Sequence, residues 1–185
     1  MAAGGFGRIR LEAFEITVTG SINPPPSSGL PGPVTPPATT PTLKITAVAG
    51  VAPPANPQGS FLASPDITLS PTVTNPVTVN LAASNVPLGT NIAVTVKSEG
   101  AAPTTTSSTA LSGTLASSTA SANVTLPNGT SIISATATFA TSTASLGAPL
   151  MIGEEEVKWI RVGAVYGGES TVTYITESGK EVRVQ

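Results

Sequence analysis

The chain contains no cysteine and no histidine, and for most of its length it has almost no charge. Without cysteine there is no disulfide and no thiolate nucleophile. Without histidine there is no imidazole metal ligand and no Ser–His or Cys–His catalytic pair. Histidine's absence also leaves no side chain whose unperturbed pKa lies between about 5 and 8. From Ile16 to Gly153 only Lys44, Asp66, Lys97 and Glu99 are charged, and the other fourteen charges lie in the first fifteen residues or after Gly153. Charged residues make up 10% of the chain, against about 25% in an ordinary soluble protein, so acid–base chemistry has few groups to draw on. The net charge of −2 offers no footprint for nucleic acid. Every apolar run is interrupted by Thr, Ser or Pro, so no transmembrane span is expected. Met1 to Arg8 does not read as a signal peptide. Aromatics are only 4% of the residues, so any core must be built from Val, Ile, Leu and Ala, and must be thin. Two packed β-sheets meet that requirement.

What remains is a series of β patterns separated by proline and glycine. Residues 8–19 alternate apolar and polar side chains. Ile9, Leu11 and Ala13 share one face, and Phe14, Ile16 and Val18 share a face after a one-residue slip of the kind a β-bulge produces. A lone strand cannot bury its face, so Ile9, Leu11, Phe14, Ile16 and Val18 form a candidate strand-pairing edge. Residues 23–41 follow, dense in proline, and hold extended polyproline geometry as a semi-rigid spacer.

From Thr42 to Thr141 short alternating strands recur. They are expected at Leu43–Val48, Asp66–Ser70, Val77–Ala82, Asn91–Lys97, Ala110–Leu115, Ala120–Leu126 and Ile133–Phe139. The Pro127-Asn128-Gly129-Thr130 link predicts a hairpin with a type I′ turn. The inward faces are Leu43, Ile45 and Ala47; Val77, Val79 and Leu81; Ile92, Val94 and Val96; Ala122, Val124 and Leu126; and Ile133, Ala135, Ala137 and Phe139. Outward positions are mostly Thr, Ser and Asn. Roughly seven short strands at this spacing predict an immunoglobulin-like β-sandwich, although the Cys-Trp-Cys pattern of antibody domains is missing. After a low-complexity link over 142–153, residues 154–185 regain ordinary charge density. They predict a three-stranded β-meander turning at Tyr166–Glu169 and Ser178–Lys180. The expected organisation is thus an N-terminal β segment (1–22), a Pro-rich linker (23–41), the sandwich (42–141), the link (142–153) and the meander (154–185). The fold class is all-β.

Two short motifs resemble known sequences. Gly4-Gly5-Phe6-Gly7-Arg8-Ile9-Arg10-Leu11-Glu12-Ala13-Phe14 resembles the last rung of the Gly-rich repeat regions of large bacterial surface proteins, where a Pro-rich link then leads to a sandwich domain. Asn85-Val86-Pro87-Leu88-Gly89-Thr90 is similar to turns of bacterial immunoglobulin-like modules. The resemblance implies cell-surface structure or adhesion. It also implies that the chain is the C-terminal piece of an exported protein, placed outside the cell; should Met1 be the native start, the cytoplasm is the expected location.

Few residues compete for a chemical role. Asp66 and Glu99 are the only acids of the sandwich, and neither lies beside aromatic or Asn-rich sugar-binding sequence, so a glycosidase pair is not expected. Glu154-Glu155-Glu156 could hold a cation such as calcium, but neighbours along a strand point to opposite faces and no Asp-rich loop accompanies them. Asn123-Val124-Thr125 and Asn128-Gly129-Thr130 are formal glycosylation acceptors that carry no argument in a bacterial-looking chain. Trp159, Tyr166 and Tyr174 could form an aromatic platform for a polysaccharide, or else the meander's small core. The expectation is a non-enzymatic structural or adhesive module without cofactor. Its partners are expected to be other copies of itself, or neighbouring surface domains, joined by strand pairing at the terminal β elements. A carbohydrate-binding module using Trp159, Tyr166 and Tyr174 is the alternative.

Overall fold

The computed structural model describes residues 10–12, 19–23, 25–29, 40–141 and 149–184. Its strands are β1 (Arg10–Glu12), β2 (Ser27–Gly29), β3 (Thr42–Val48), β4 (Val77–Ser84), β5 (Asn91–Ser98), β6 (Thr104–Ala110), β7 (Ser112–Thr114), β8 (Ser117–Val124), β9 (Ser131–Ala140), β10 (Met151–Ile152), β11 (Glu155–Val165), β12 (Thr171–Thr176) and β13 (Glu181–Val184). No helix occurs among the described residues. Strands β3 to β13 build two antiparallel sheets, so the all-β sandwich expected from composition is the fold.

One sheet has the order β3-β4-β8-β7, and the other β13-β12-β11-β9-β5-β6 with β10 added beside β11. Their facing sides interdigitate Leu43, Ile45, Val77, Val79, Leu81, Ala122 and Val124 with Ile92, Val94, Val96, Ile133, Ala135, Ala137 and Val162, all buried. Period-two alternation explains this directly, because β4 runs buried–exposed through Val77-Thr78-Val79-Asn80-Leu81. One inward assignment moves. A bulge between Ile45 and Ala47 turns Ala47 partly outward and brings Val48 into the core instead. Leu126 and Phe139 pack at the margin, half-buried.

Two turn chemistries join the sheets. Asn85-Val86-Pro87-Leu88-Gly89-Thr90 carries the chain from β4 to β5, with Asn85 and Gly89 both at positive φ. Its Gly89 amide donates to the Leu111 carbonyl at 2.9 Å, and Val86 is wholly buried as a plug. At the side, β6 and β7 are one run of chain that leaves β5 for β8 at Leu111, a corner where a strand changes sheet.

Three sequence expectations are corrected. Residues 66–70 are not a strand; they belong to a long loop between β3 and β4. Pro127–Thr130 is not a hairpin, because β8 and β9 lie in different sheets and the link crosses between them. Only Gly129 takes positive φ there, whereas a type I′ turn needs two such residues. The strand expected at Ala110–Leu115 is the short β7, Ser112–Thr114, and the longer β6 before it was not expected, because its Thr104-Thr105-Thr106-Ser107-Ser108 sequence has no apolar alternation to reveal it. It lies at an edge, where one face is wet and little burial is needed.

The meander is present, and it continues the second sheet. Strand β11 pairs with β9 from Trp159↔Ala140 to Val165↔Ser134, and Val157, Val162, Ala164, Val172 and Tyr174 join the core. The N-terminal segment also has a partner that the proline-rich stretch did not suggest: β1 runs parallel to β2, Leu11 opposite Ser28. Ile9, Phe14, Ile16 and Val18 lie outside the described residues.

Because β11 carries core side chains, the sandwich and meander should unfold together. Val162→Ala, at a fully buried site, should cost about 2 kcal/mol. Trp159 fluorescence and far-ultraviolet circular dichroism should then shift to the same lower midpoint. Separate midpoints for the two signals would contradict a shared core.

Candidate functional site

The structure separates the three aromatic residues. A bulge between Val157 and Trp159 resets the alternation of β11, so Trp159 pairs with Ile175 on the outer face while Ile160 pairs with Tyr174 on the inner one. Trp159 is 49% exposed and Tyr174 only 6%. Burial pushes the Tyr174 phenol above its ordinary pKa. Tyr166 stands at the far end of β11, where its hydroxyl donates to the Val51 carbonyl at 2.9 Å. Its pKa is raised by burial first and then by the negative charge of Asp66. A three-residue aromatic platform is therefore not formed, because register places Trp159 and Tyr174 on opposite faces of one sheet.

Tyr166 belongs instead to the support of the long loop between β3 and β4. That loop leaves β3 through a tight turn in which Ala49 and Gly50 both have positive φ and Val48 and Val51 exchange hydrogen bonds. Gly167 lets it dock: with φ +71, it is so close to Pro53 and Pro57 that a Cβ would lie within 2.9 Å of either. Farther along, the Asn75 amide donates to the Leu126 carbonyl at 2.7 Å and accepts from the Leu126 amide at 2.9 Å. The draped loop leaves a groove of about 550 Å³ lined by Ile67, Leu69, Asn75, Leu126, Ile133 and Tyr166, among others. Its one carboxylate, Asp66, has its two oxygens engaged by the amides of Gln58 and Gly59. Asp66, Asn75 and Tyr166 are thus committed to holding the loop.

The charged C-terminal strands present a different surface. Across the outer face run two rows, Trp159–Ile175–Glu181 and Arg161–Thr173–Arg183, set by the registers of β11, β12 and β13. Arg161 Nη1 reaches the Glu181 carboxylate at 3.0 Å. Among the described residues no strand pairs with the far side of β13, which is there an open edge of the sheet. By contrast, the edge strand β3 is capped where Ser170 Oγ accepts from the Leu43 amide at 2.8 Å and donates to the Leu43 carbonyl at 2.7 Å.

Glu155 holds the turn that delivers β13. Its carboxylate accepts from the hydroxyls of Thr176 and Ser178, and Thr176 Oγ1 in turn accepts from the Lys180 amide at 3.2 Å. Those hydroxyls, then the nearby Lys180 charge, hold the Glu155 carboxyl below the usual glutamate range. The three consecutive glutamates do not converge: Glu156 pairs with Lys158 at 2.7 Å, and no group of three metal-ligating side chains occurs among the described residues. Sequence reasoning expected strand pairing at both terminal β elements and named Ile9, Leu11, Phe14, Ile16 and Val18 for it, without singling out Glu181 and Arg183. Compared with family models, curated proteins and solved structures, the chain matches none.

The depressed Glu155 pKa fixes a pH dependence. A carboxyl with a lower pKa when folded stabilises the fold above its unfolded value of about 4.3 and loses that contribution as pH falls through the folded value. Glu155→Gln should therefore melt below the unmodified chain at pH 7, and the two melting curves should converge in acid. A difference that persists unchanged to strongly acidic pH would rule out the charged clamp.

Proposed function

We propose that the chain is a non-enzymatic structural and adhesive module of an exported bacterial surface protein, one that associates with its neighbours through terminal β elements. The observation that carries this reading is the open, charged edge of β13 on a sheet whose other exposed positions are mostly neutral. A strand edge offers unpaired amides and carbonyls in a row, which is the recognition surface of β-strand addition. The immunoglobulin-like assignment is supported by strand order. With β3, β4, β8 and β7 read as A, B, E and D, the facing strands β6, β5, β9 and β11 take the places of C′, C, F and G. The surface assignment rests on the Gly-Gly-Phe-Gly-Arg-Ile-Arg-Leu-Glu-Ala resemblance, within which Arg10–Glu12 is extended.

A non-enzymatic role is supported by the disposition of the acids. Asp66 is bound to loop amides, and Glu99 stands exposed in the turn after β5. Neutral Thr and Ser faces keep the same charge state across a wide pH range, as suits a load-bearing element outside the cell.

Light scattering over a concentration series tests association. An average mass that rises with concentration is expected, and a concentration-independent monomer would remove strand pairing as the basis of function.

The half-exposed Trp159, on the same outer face as Ile175 and Arg161, favours one further reading, polysaccharide stacking. Binding to a glycan array should then be lost in Trp159→Ala. Tyr174→Ala is not a usable control, because it removes a core side chain. Equal binding by the unmodified chain and Trp159→Ala, or none by either, would exclude this role for Trp159.

A further inference from the structure

The open edge of β13 is self-complementary, and its geometry selects both partner and register. The Thr176 amide donates to the Lys180 carbonyl at 3.0 Å. Residues of an antiparallel pair alternate in the direction of their backbone groups. With Tyr174 opposite Val182, Val182 therefore directs its N–H and C=O to β12. Glu181 and Arg183 direct theirs to the open side. The two residues with free backbone groups are thus the two that bear opposite charges. Both side chains lie on the outer face, and both residues are exposed.

We propose that β13 pairs antiparallel with β13 of a second copy of this chain, about a two-fold axis through Val182. This rests on the strand-pairing reading above and specifies its partner. In that register Glu181 lies opposite Arg183 of the second copy, and Arg183 opposite its Glu181. Both pairs are hydrogen-bonded ladder positions, so the free backbone groups are matched as well as the charges. Val182 meets Val182 on the inner face, beside Tyr174 of each copy. The contact is isologous and closed, and the sheet becomes continuous through both molecules.

Other registers are disfavoured by the same residues. A slip of two positions one way opposes Glu181 to Glu181, and the other way Arg183 to Arg183. A slip of one sets Val182, whose backbone groups face β12, where a bonding residue is required. An edge bearing charges of one sign would bar self-pairing altogether. Alternating signs around a central valine admit a single arrangement. Within one molecule Glu181 already meets Arg161, while Arg183 has no acidic partner among the described residues. The second copy's Glu181 supplies one.

Charge swaps on the full chain test the register, read by light scattering up to about 1 mM, a range suited to a small interface. R183E places carboxylates opposite one another and should weaken self-association at least about tenfold. E181R places guanidinium groups opposite one another and should do the same. Mixed in equal amounts, the two single variants should associate with each other, and the double variant E181R/R183E should recover self-association. Amide exchange gives a readout independent of mutation: the Glu181 and Arg183 amides should become protected as concentration rises. If the unmodified chain associates but R183E associates equally well, this register is overturned and strand pairing in another place stands. A chain monomeric throughout the range overturns both.

Discussion

The ladder between β9 and β11, from Trp159↔Ala140 to Val165↔Ser134, is the contact on which the rest of the structure depends. It joins a neutral, Thr- and Ser-faced body to a charged C-terminal hairpin. Without it, β11 to β13 would be a meander of three strands, too small to be stable alone. With it, Val162 lies beside Ala137 and opposite the aliphatic face of the first sheet. The small side chains of Ala135 and Ala137 matter here. They let the second sheet approach the first closely enough for a core built from Val, Ile and Leu to fill the gap without aromatic bulk. Continuity of the sheet also carries its edge outward by two further strands, to β13.

Edges then become the decisive surfaces. A sandwich with neutral faces has few electrostatic means of rejecting unwanted pairing, so each edge needs its own device. At β3 the device is Ser170, whose hydroxyl meets both backbone groups of Leu43. At β6 and β7 the chain turns the corner between sheets, and the Thr109 hydroxyl accepts from the Ser121 amide at 3.1 Å. Strand β13 has charge instead, and its turn is fastened by Glu155 through two hydroxyl groups. The same strand is therefore fastened at its turn and, by its charges, selective in what it can accept.

Much of the sandwich was legible from alternation alone. Val77, Val79 and Leu81, then Ile92, Val94 and Val96, stand at every second position and are all buried, because a half-buried strand can bury no other set. The Asn-Val-Pro-Leu-Gly-Thr turn was legible for a local reason: Asn85 and Gly89 tolerate the positive φ that the crossing requires. The misreadings have equally local causes. Asp66-Ile67-Thr68-Leu69-Ser70 alternates like a strand, yet Ile67 and Leu69 pack against the core from a loop. Asn128-Gly129 carries the composition of a tight hairpin, but its flanking strands belong to different sheets. Trp159 and Tyr174 share a composition typical of a binding platform, and one bulged residue sends them to opposite faces.

The amino-acid sequence by itself determined the class of the protein: an all-β chain with a thin aliphatic core, few ionisable groups and two charged ends. Those properties follow from side-chain chemistry and period-two patterning, which act over a few residues and are readable there. Tertiary structure alone decided which strands became neighbours. Only that pairing made the meander part of the sandwich, parted the three aromatics and turned Glu181 and Arg183 into the open rim of the sheet. The physical reason is that strand pairing joins residues distant along the chain through backbone groups common to all residues. Local pattern can show that a strand exists, but the partner is chosen by how whole faces fit together.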